Sequence, residues 1–490
     1  MTAQHVGTTS PPGTTTQGWA LHPDRALPAE PSSRDAARAV YAATRDLPIV
    51  SMHGHVDAGV LAADEPFGNP AEVFVVPDHY LVRMLVSQGV PHDSLGVPRR
   101  DGKPVETDPR EIWRTFCTNW KLFRGTPTRY WMEHVLVEIF GVSAPPSAQT
   151  ADTLYDEVQA QLSTDAFRPL ALADRFNLEI VATTDPATAT LADHADLAGR
   201  GWGERIVPTF RPDALLHVDR PEWRDDIALL AERSGIDVGS YADYVRALEQ
   251  RRAAFIAAGA RATDHGHLLA DTTPLTPAEA GRIFDAALRG EVSAADAQAF
   301  SGHMLHEMAR MSAEDGLVMQ IHPGVLRNHD SHVFAERGPD VGYDIPVAAE
   351  YTRSLRPLLE SFGHHPGLRL IVFTVDETVF ARELAPMAGV YPAMKLGAPW
   401  WFLDTPDGMR RYREAVTDSA GFYNTTGFVD DTRAFFSIPA RHDLARRIDA
   451  GYLGRLVAEH RLTVDEAVET AVDLAYELPK LAYPKPAPRT

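Results

Sequence analysis

The chain has 490 residues, 44% apolar and 23% charged, enough to fill a sizeable core, and a formal net charge of −20. That charge, with no run of Lys or Arg to offset it, argues against a nucleic-acid partner, and the single cysteine, Cys117, excludes an internal disulfide framework and a thiolate-rich metal site. No segment approaches the length of an apolar membrane span, and the first residues lack the charged and apolar regions of a secretion signal, so a cytoplasmic protein without a membrane partner is expected.

In chain order, residues 1–35 read as a disordered tail, opening on a Thr/Pro/Gly-rich stretch. The first apolar run, LPIVSMHGHVDAG at 47–59, ends in His53 and His55, which share one side of an extended chain. Residues 61–175 carry amphipathic runs such as TRYWMEHVLVEIFG and ADTLYDEVQAQLS and read as a helical insertion that caps a barrel mouth. Seven more segments then repeat one pattern, a short apolar run that stops at one or two polar residues: LEIVATTD, RIVPTFR, RATDHG, GLVMQIHPG, LRLIVFTVD, YPAMKLGAP and GFYNTTGFVDD. Helical segments such as ADYVRALEQRRAAFIAAG and MRRYREAVTDSAG lie between them and end at glycine. Eight strands alternating with helices predict an α/β fold, a TIM-type (β/α)8 barrel built from 36–60 and 176–485, with its polar residues at the C-terminal strand ends. No G-x-G-x-x-G follows the first strand, so an open dinucleotide-binding sheet is not favoured.

Two imidazoles on one strand end, completed by a carboxylate and water, make an open catalytic metal site. The last strand offers Asp430 and Asp431, of which only one can face the barrel mouth, leaving the other free to cap the following helix. The run RNHDSH at 327–332 lies past a strand end and reads as a loop rather than a second metal site.

The motifs MHGHVD, DHYLVRMLVSQGV (78–90), IVATTDP (180–186), VPTFRPD (207–213), RATDHG (261–266), VMQIHPGVLRN (318–328), GAPWWFLDTPDGM (397–409) and VDDTRAFFS (429–437) occur in this order. Together they resemble the uronate isomerases (glucuronate isomerase family) of the amidohydrolase superfamily, from about Leu47 to Tyr483. The resemblance implies a distorted (β/α)8 barrel holding one divalent metal ion, usually zinc, through His53, His55 and Asp431. It implies isomerisation of an open-chain hexuronate, of D-glucuronate or D-galacturonate type, to its 2-keto form through an enediol. Asp431 is then the candidate base and Tyr80 the proton shuttle, with His79, Arg211, Arg327, Arg433, Asp264, His322 and Trp400 as substrate contacts. The partner expected is a small sugar acid, and the assembly a homo-oligomer. The alternative is a metal-dependent hydrolase or lyase on the same barrel, since a fold does not fix a reaction. The chain departs from the family at Asp430, where a small hydroxyl residue is usual, at Asp376 and Glu377, and at RNHD; all are expected near the site.

Overall fold

The structure, a computed structural model, describes residues 19–486. Its first strand is Ile49–Ser51 and its second Leu178–Ala182; the third is broken into Ile206–Val207 and Phe210–Arg211. The fourth to seventh are Ala262–His265, Val318–Ile321, Leu370–Val372 and Met394–Leu396. Each runs parallel to its neighbours in chain order. Their residues are buried almost throughout, as parallel strands covered by helices on one side and a packed interior on the other must be. The break in the third strand falls at Pro208, which has no N–H to give to the ladder.

The eighth position is irregular. Leu396 bridges Thr425 in parallel, but Gly427 (φ +72°) and Asp431 (φ +42°) then take the chain out of extended geometry. The ring nevertheless closes onto the first strand. Asp431 N–H donates to the His53 carbonyl at 3.1 Å, and His55 N–H donates to the Thr432 carbonyl at 2.9 Å. The distorted barrel expected from sequence is thus present, with its distortion in the broken third strand and the irregular last one.

Among the described residues, only helical elements lie between the first and second strands, including Pro109–Thr118, Pro127–His134 and Ala151–Leu162. This insertion shares its core with the barrel: Trp113, Phe116 and Phe140 belong to the same apolar cluster as Val50, Val181 and Phe436. The Phe140 and Phe436 rings meet at a tilt, with 5.3 Å between centroids. A second core lies under the remaining strands, beneath helices Trp223–Ser234, Tyr241–Ala257 and Ala294–Asp315.

The expectation of a disordered tail falls outside the described residues for 1–18 and does not hold for 19–35. Trp19 N–H donates to the Ser143 carbonyl, and the Glu30 side chain caps helix Pro31–Thr44 by accepting from the Ser32 and Ser33 N–H groups. That helix lies against the long C-terminal helix Ile438–Ala458. A Cβ at Gly454 would sit 2.6 Å from the Ser33 carbonyl oxygen, so the two backbones approach as closely as only glycine permits. No described helix is long and apolar enough to cross a membrane.

Candidate active site and metal centre

His53 and His55 leave the first strand on the same side, and the closing hydrogen bonds bring Asp431 against both. Asp431 Oδ1 lies 3.4 Å from His53 Nε2 and 3.0 Å from His55 Nε2. These three are the only His/Cys/Asp/Glu group among the described residues whose candidate ligand atoms all lie within 4.8 Å of one another. His53 is buried, and neither of its ring nitrogens has a hydrogen-bond partner. An orphaned imidazole of this kind fits a role as a ligand, because an unmet buried polar group is otherwise costly. Burial pushes His55 down, favouring the neutral form that binds metal. Against the upward push of burial, the two imidazoles hold the Asp431 carboxyl well below its usual range.

His55 and Asp431 open into a cavity of 790 Å³, lined among others by Tyr80, His79, Arg211, Arg327, Arg433, His322 and Trp400, with His53 buried behind them. The candidate substrate contacts read from the sequence are therefore brought together, with one exception. Asp264 is completely buried and does not line the cavity. It stands behind the wall, 2.9 Å from His322 Nε2, 3.3 Å from Arg211 Nη1 and 3.7 Å from His53 Nδ1, so its place is to hold those groups rather than to touch a ligand. Arg211 does pair with Asp213, at 3.0 Å, yet still faces the cavity.

Tyr80 sits at the start of helix His79–Ser87, whose N-cap is Asp78. The cap fixes the entry of the chain, and the Tyr80 ring is held by Trp131 at 5.5 Å and by the Arg441 guanidinium at 5.4 Å. Burial pushes the phenol up, so it carries its proton at neutral pH. His79 stacks on Tyr80 at 4.4 Å and is pushed down to about 3 by burial, with Arg433 adding to the effect, which leaves it neutral.

Neither aspartate of the last strand caps a helix. Asp430 is buried and accepts from His442 Nε2 at 3.0 Å; its neighbour Asp431 is left to the metal trio in a left-handed conformation. Among the described residues, four of the nine non-glycine residues with positive φ, namely Asn328, Asp340, Trp401 and Asp431, line the cavity, which places backbone strain where a ligand would sit. Of the other departures from the family pattern, Arg327 and Asn328 of RNHD line the cavity, whereas Asp376 and Glu377 lie away from it. Asp376 caps the short turn Glu377–Val379, Glu377 pairs with Arg411, and neither lines the cavity. In RNHDSH, Asp330 caps helix Ser331–Arg337, which accounts for that run without a metal.

Sequence reading missed Arg83, Arg441, Asp404, Asp340 and His442. Arg83 was within reach, since it lies four residues after His79 on one helix face. Arg441 and His442 come from a helix whose packing under the last strand no local pattern announces. Arg441 pairs with Asp404, whose carboxyl is pushed up to about 7 by burial and by Asp431 and Asp430.

A sequence-family model described as glucuronate isomerase matches residues 32–481. A curated uronate isomerase of Phenylobacterium zucineum is 54% identical over 463 residues, 94% of this chain and 96% of that protein. The crystal structure of glucuronate isomerase from Caulobacter crescentus superposes with a TM-score of 0.93 at 49% identity, covering 95% of this chain and 97% of that one. That of uronate isomerase from Thermotoga maritima gives 0.88 at 27% identity, covering 95% and 100%.

Proposed function

The chain belongs to the glucuronate isomerase family of aldose–ketose isomerases, and from that premise we propose that its cavity converts an open-chain hexuronate, of D-glucuronate or D-galacturonate type, to the 2-keto form. The observation that carries the assignment to this cavity is the convergence of an ionised Asp431, a protonated Tyr80 and several guanidinium groups in one space.

His53, His55 and Asp431 hold one divalent ion in this reading, with zinc the ion their two-imidazole, one-carboxylate donor set suits. When bound, the ion polarises a substrate oxygen and fixes its orientation. Asp431, with Oδ1 the atom near both imidazoles, takes the proton from C2 through its other oxygen. Tyr80 gives its hydroxyl proton to the carbonyl oxygen at C1, and the enediol results. The O2 proton then returns to Tyr80 while Asp431 delivers its proton to C1, leaving a hydroxymethyl group at C1 and a ketone at C2. Arg211, Arg327 and Arg433, with His79, His322 and Trp400, present hydrogen-bond donors and a wall to the sugar chain. Asp264 keeps Arg211 and His322 in place from behind.

An NMR assay of aldehyde-to-ketone conversion on a panel of uronic acids tests the reading; hydrolysis of an ester or amide without isomerisation would overturn it. We also propose a cytoplasmic homo-oligomer. The paired hairpin residues Leu326 and Ile345, 41% and 43% exposed, support a self-contacting face, and light scattering at monomer mass would overturn it.

A further inference from the structure

Tyr80 gives up its proton, in the isomerase reading, from a place that disfavours the charge left behind. The side chain is buried at the cavity wall, and among the described residues its hydroxyl makes no hydrogen bond to the protein. A phenolate exists from the moment its proton passes to the oxygen at C1 until the O2 proton returns. An anion on a buried side chain with no donor of its own is costly unless a fixed positive charge stands near it.

Arg441 supplies such a charge. It enters from the first turn of helix Ile438–Ala458, with its guanidinium 5.4 Å from the Tyr80 ring centroid and 3.6 Å from that of Trp131. Trp131 in turn meets the Tyr80 ring edge-on at 5.5 Å. The guanidinium has three anchors: Nη1 donates to the Asp404 carboxylate and, at 3.3 Å, to the Asp430 carbonyl, and Nε donates to Ser437 Oγ at 3.3 Å. Arg441 and Asp404 are both buried, and against the downward push of burial Asp404 holds the guanidinium up, so it remains a cation. Burial likewise raises the Tyr80 phenol, and Arg441 exerts the strongest pull in the opposite direction. Arg83 lies at a similar distance from the ring, 5.2 Å, but is only half-buried, so solvent screens its field more. Stability alone does not account for the arrangement. A buried ion pair contributes little net, and a cation in the first turn of a helix opposes the helix dipole.

We propose that Arg441 is a positioning residue for the proton transfer: anchored by Asp404, it holds the Tyr80 ring against Trp131 and stabilises the phenolate while the tyrosine's proton is on the substrate. The inference deepens the isomerase reading of this cavity and rests on it.

The test measures kcat and KM for D-glucuronate and D-galacturonate with metal-loaded full-length wild type, Arg441→Lys and Arg441→Met. Each is prepared with tyrosine at position 80 and with 3-fluorotyrosine there, whose more acidic phenol needs less help to part with its proton. In Arg441→Met, kcat falls by about 10- to 100-fold, the scale of one fixed charge acting across a few ångströms of protein, while KM changes little. Arg441→Lys keeps part of the rate. Fluorination at position 80 recovers most of the loss in Arg441→Met and changes the wild type little. If Arg441→Met does not fold with Asp404 left unpaired, the double variant Arg441→Met, Asp404→Asn takes its place. A merely structural role predicts a loss that fluorination does not recover and no advantage for lysine, and either result overturns the assignment, as does an undiminished kcat in Arg441→Met. Those outcomes, with an active wild type, overturn Arg441 alone, whereas wild-type protein that isomerises no uronate overturns the functional reading itself.

Discussion

Gly266→Ala places one methyl group where the site has no room for it. A Cβ at this position would lie 2.6 Å from His322 Cε1, 3.0 Å from Arg211 Nη2 and 3.1 Å from Asp213 Oδ2. None of the three can retreat cheaply. His322 is wedged against the Trp400 ring at 4.7 Å and Asp264 at 2.9 Å, and Arg211 is tied to both Asp213 and Asp264. Overpacking of this kind costs about 1–3 kcal/mol, which displaces His322 and Arg211 from the cavity wall and converts to a loss of about 5- to 150-fold in kcat/KM if borne in the transition state. His53, His55 and Asp431 are not among the atoms struck, so metal content by elemental analysis stays at the wild-type level. Steady-state kinetics and a thermal melt read the result. Activity within twofold of wild type, with unchanged melting, would refute the placement of His322 and Arg211 as working parts of the wall.

Tyr80→Phe removes the phenolic proton without disturbing the ring contacts; kcat falls by about 10²- to 10⁴-fold, while melting temperature and metal content are unchanged. His442→Ala strips the buried Asp430 of its one side-chain partner and costs about 3–5 kcal/mol in urea unfolding, with metal affinity, read by chelator competition, down by about 10- to 100-fold. His265 is fully buried and pushed down to about 4, so the unfolded chain binds more protons than the folded one between pH 6.5 and 4. Stability contributed by its neutral form is complete above pH 6.5 and is lost on acidification through that window, by at most about 3.5 kcal/mol at about 1.4 kcal/mol per pH unit. Urea midpoints across this range fall in the wild type and fall less steeply in His265→Gln.

The first seven strands were legible because each is a short run, mostly apolar except in RATDHG, that stops at polar residues, a pattern that suits buried parallel strands. The eighth was legible in content but not in shape. Nothing local to GFYNTTGFVDD reveals that Gly427 and Asp431 turn out of extended geometry, or that Asp430 meets His442 from the next helix rather than capping it. His53 and His55 could be paired from their spacing alone, whereas Asp431 reaches them through closure of the ring, a contact nearly the whole chain apart. Asp264 is legible as part of the site but not in its surroundings, because burial behind a wall and exposure on it look alike in a strand-end motif. Arg441 and Asp404 left no signal, since an ion pair between a helix and a distant loop has no period or spacing to betray it.

Proton NMR of D-glucuronate and D-galacturonate in D₂O, with the metal-loaded protein and its Asp431→Asn variant, bears most directly on the account. The wild type is predicted to convert the aldehyde sugar to its 2-keto isomer, with loss of the C2 proton signal and abolition by a chelator, and Asp431→Asn to do neither at a measurable rate. Isomerisation that proceeds undiminished in Asp431→Asn, or a wild type that leaves every uronate's C2 proton in place, would contradict it.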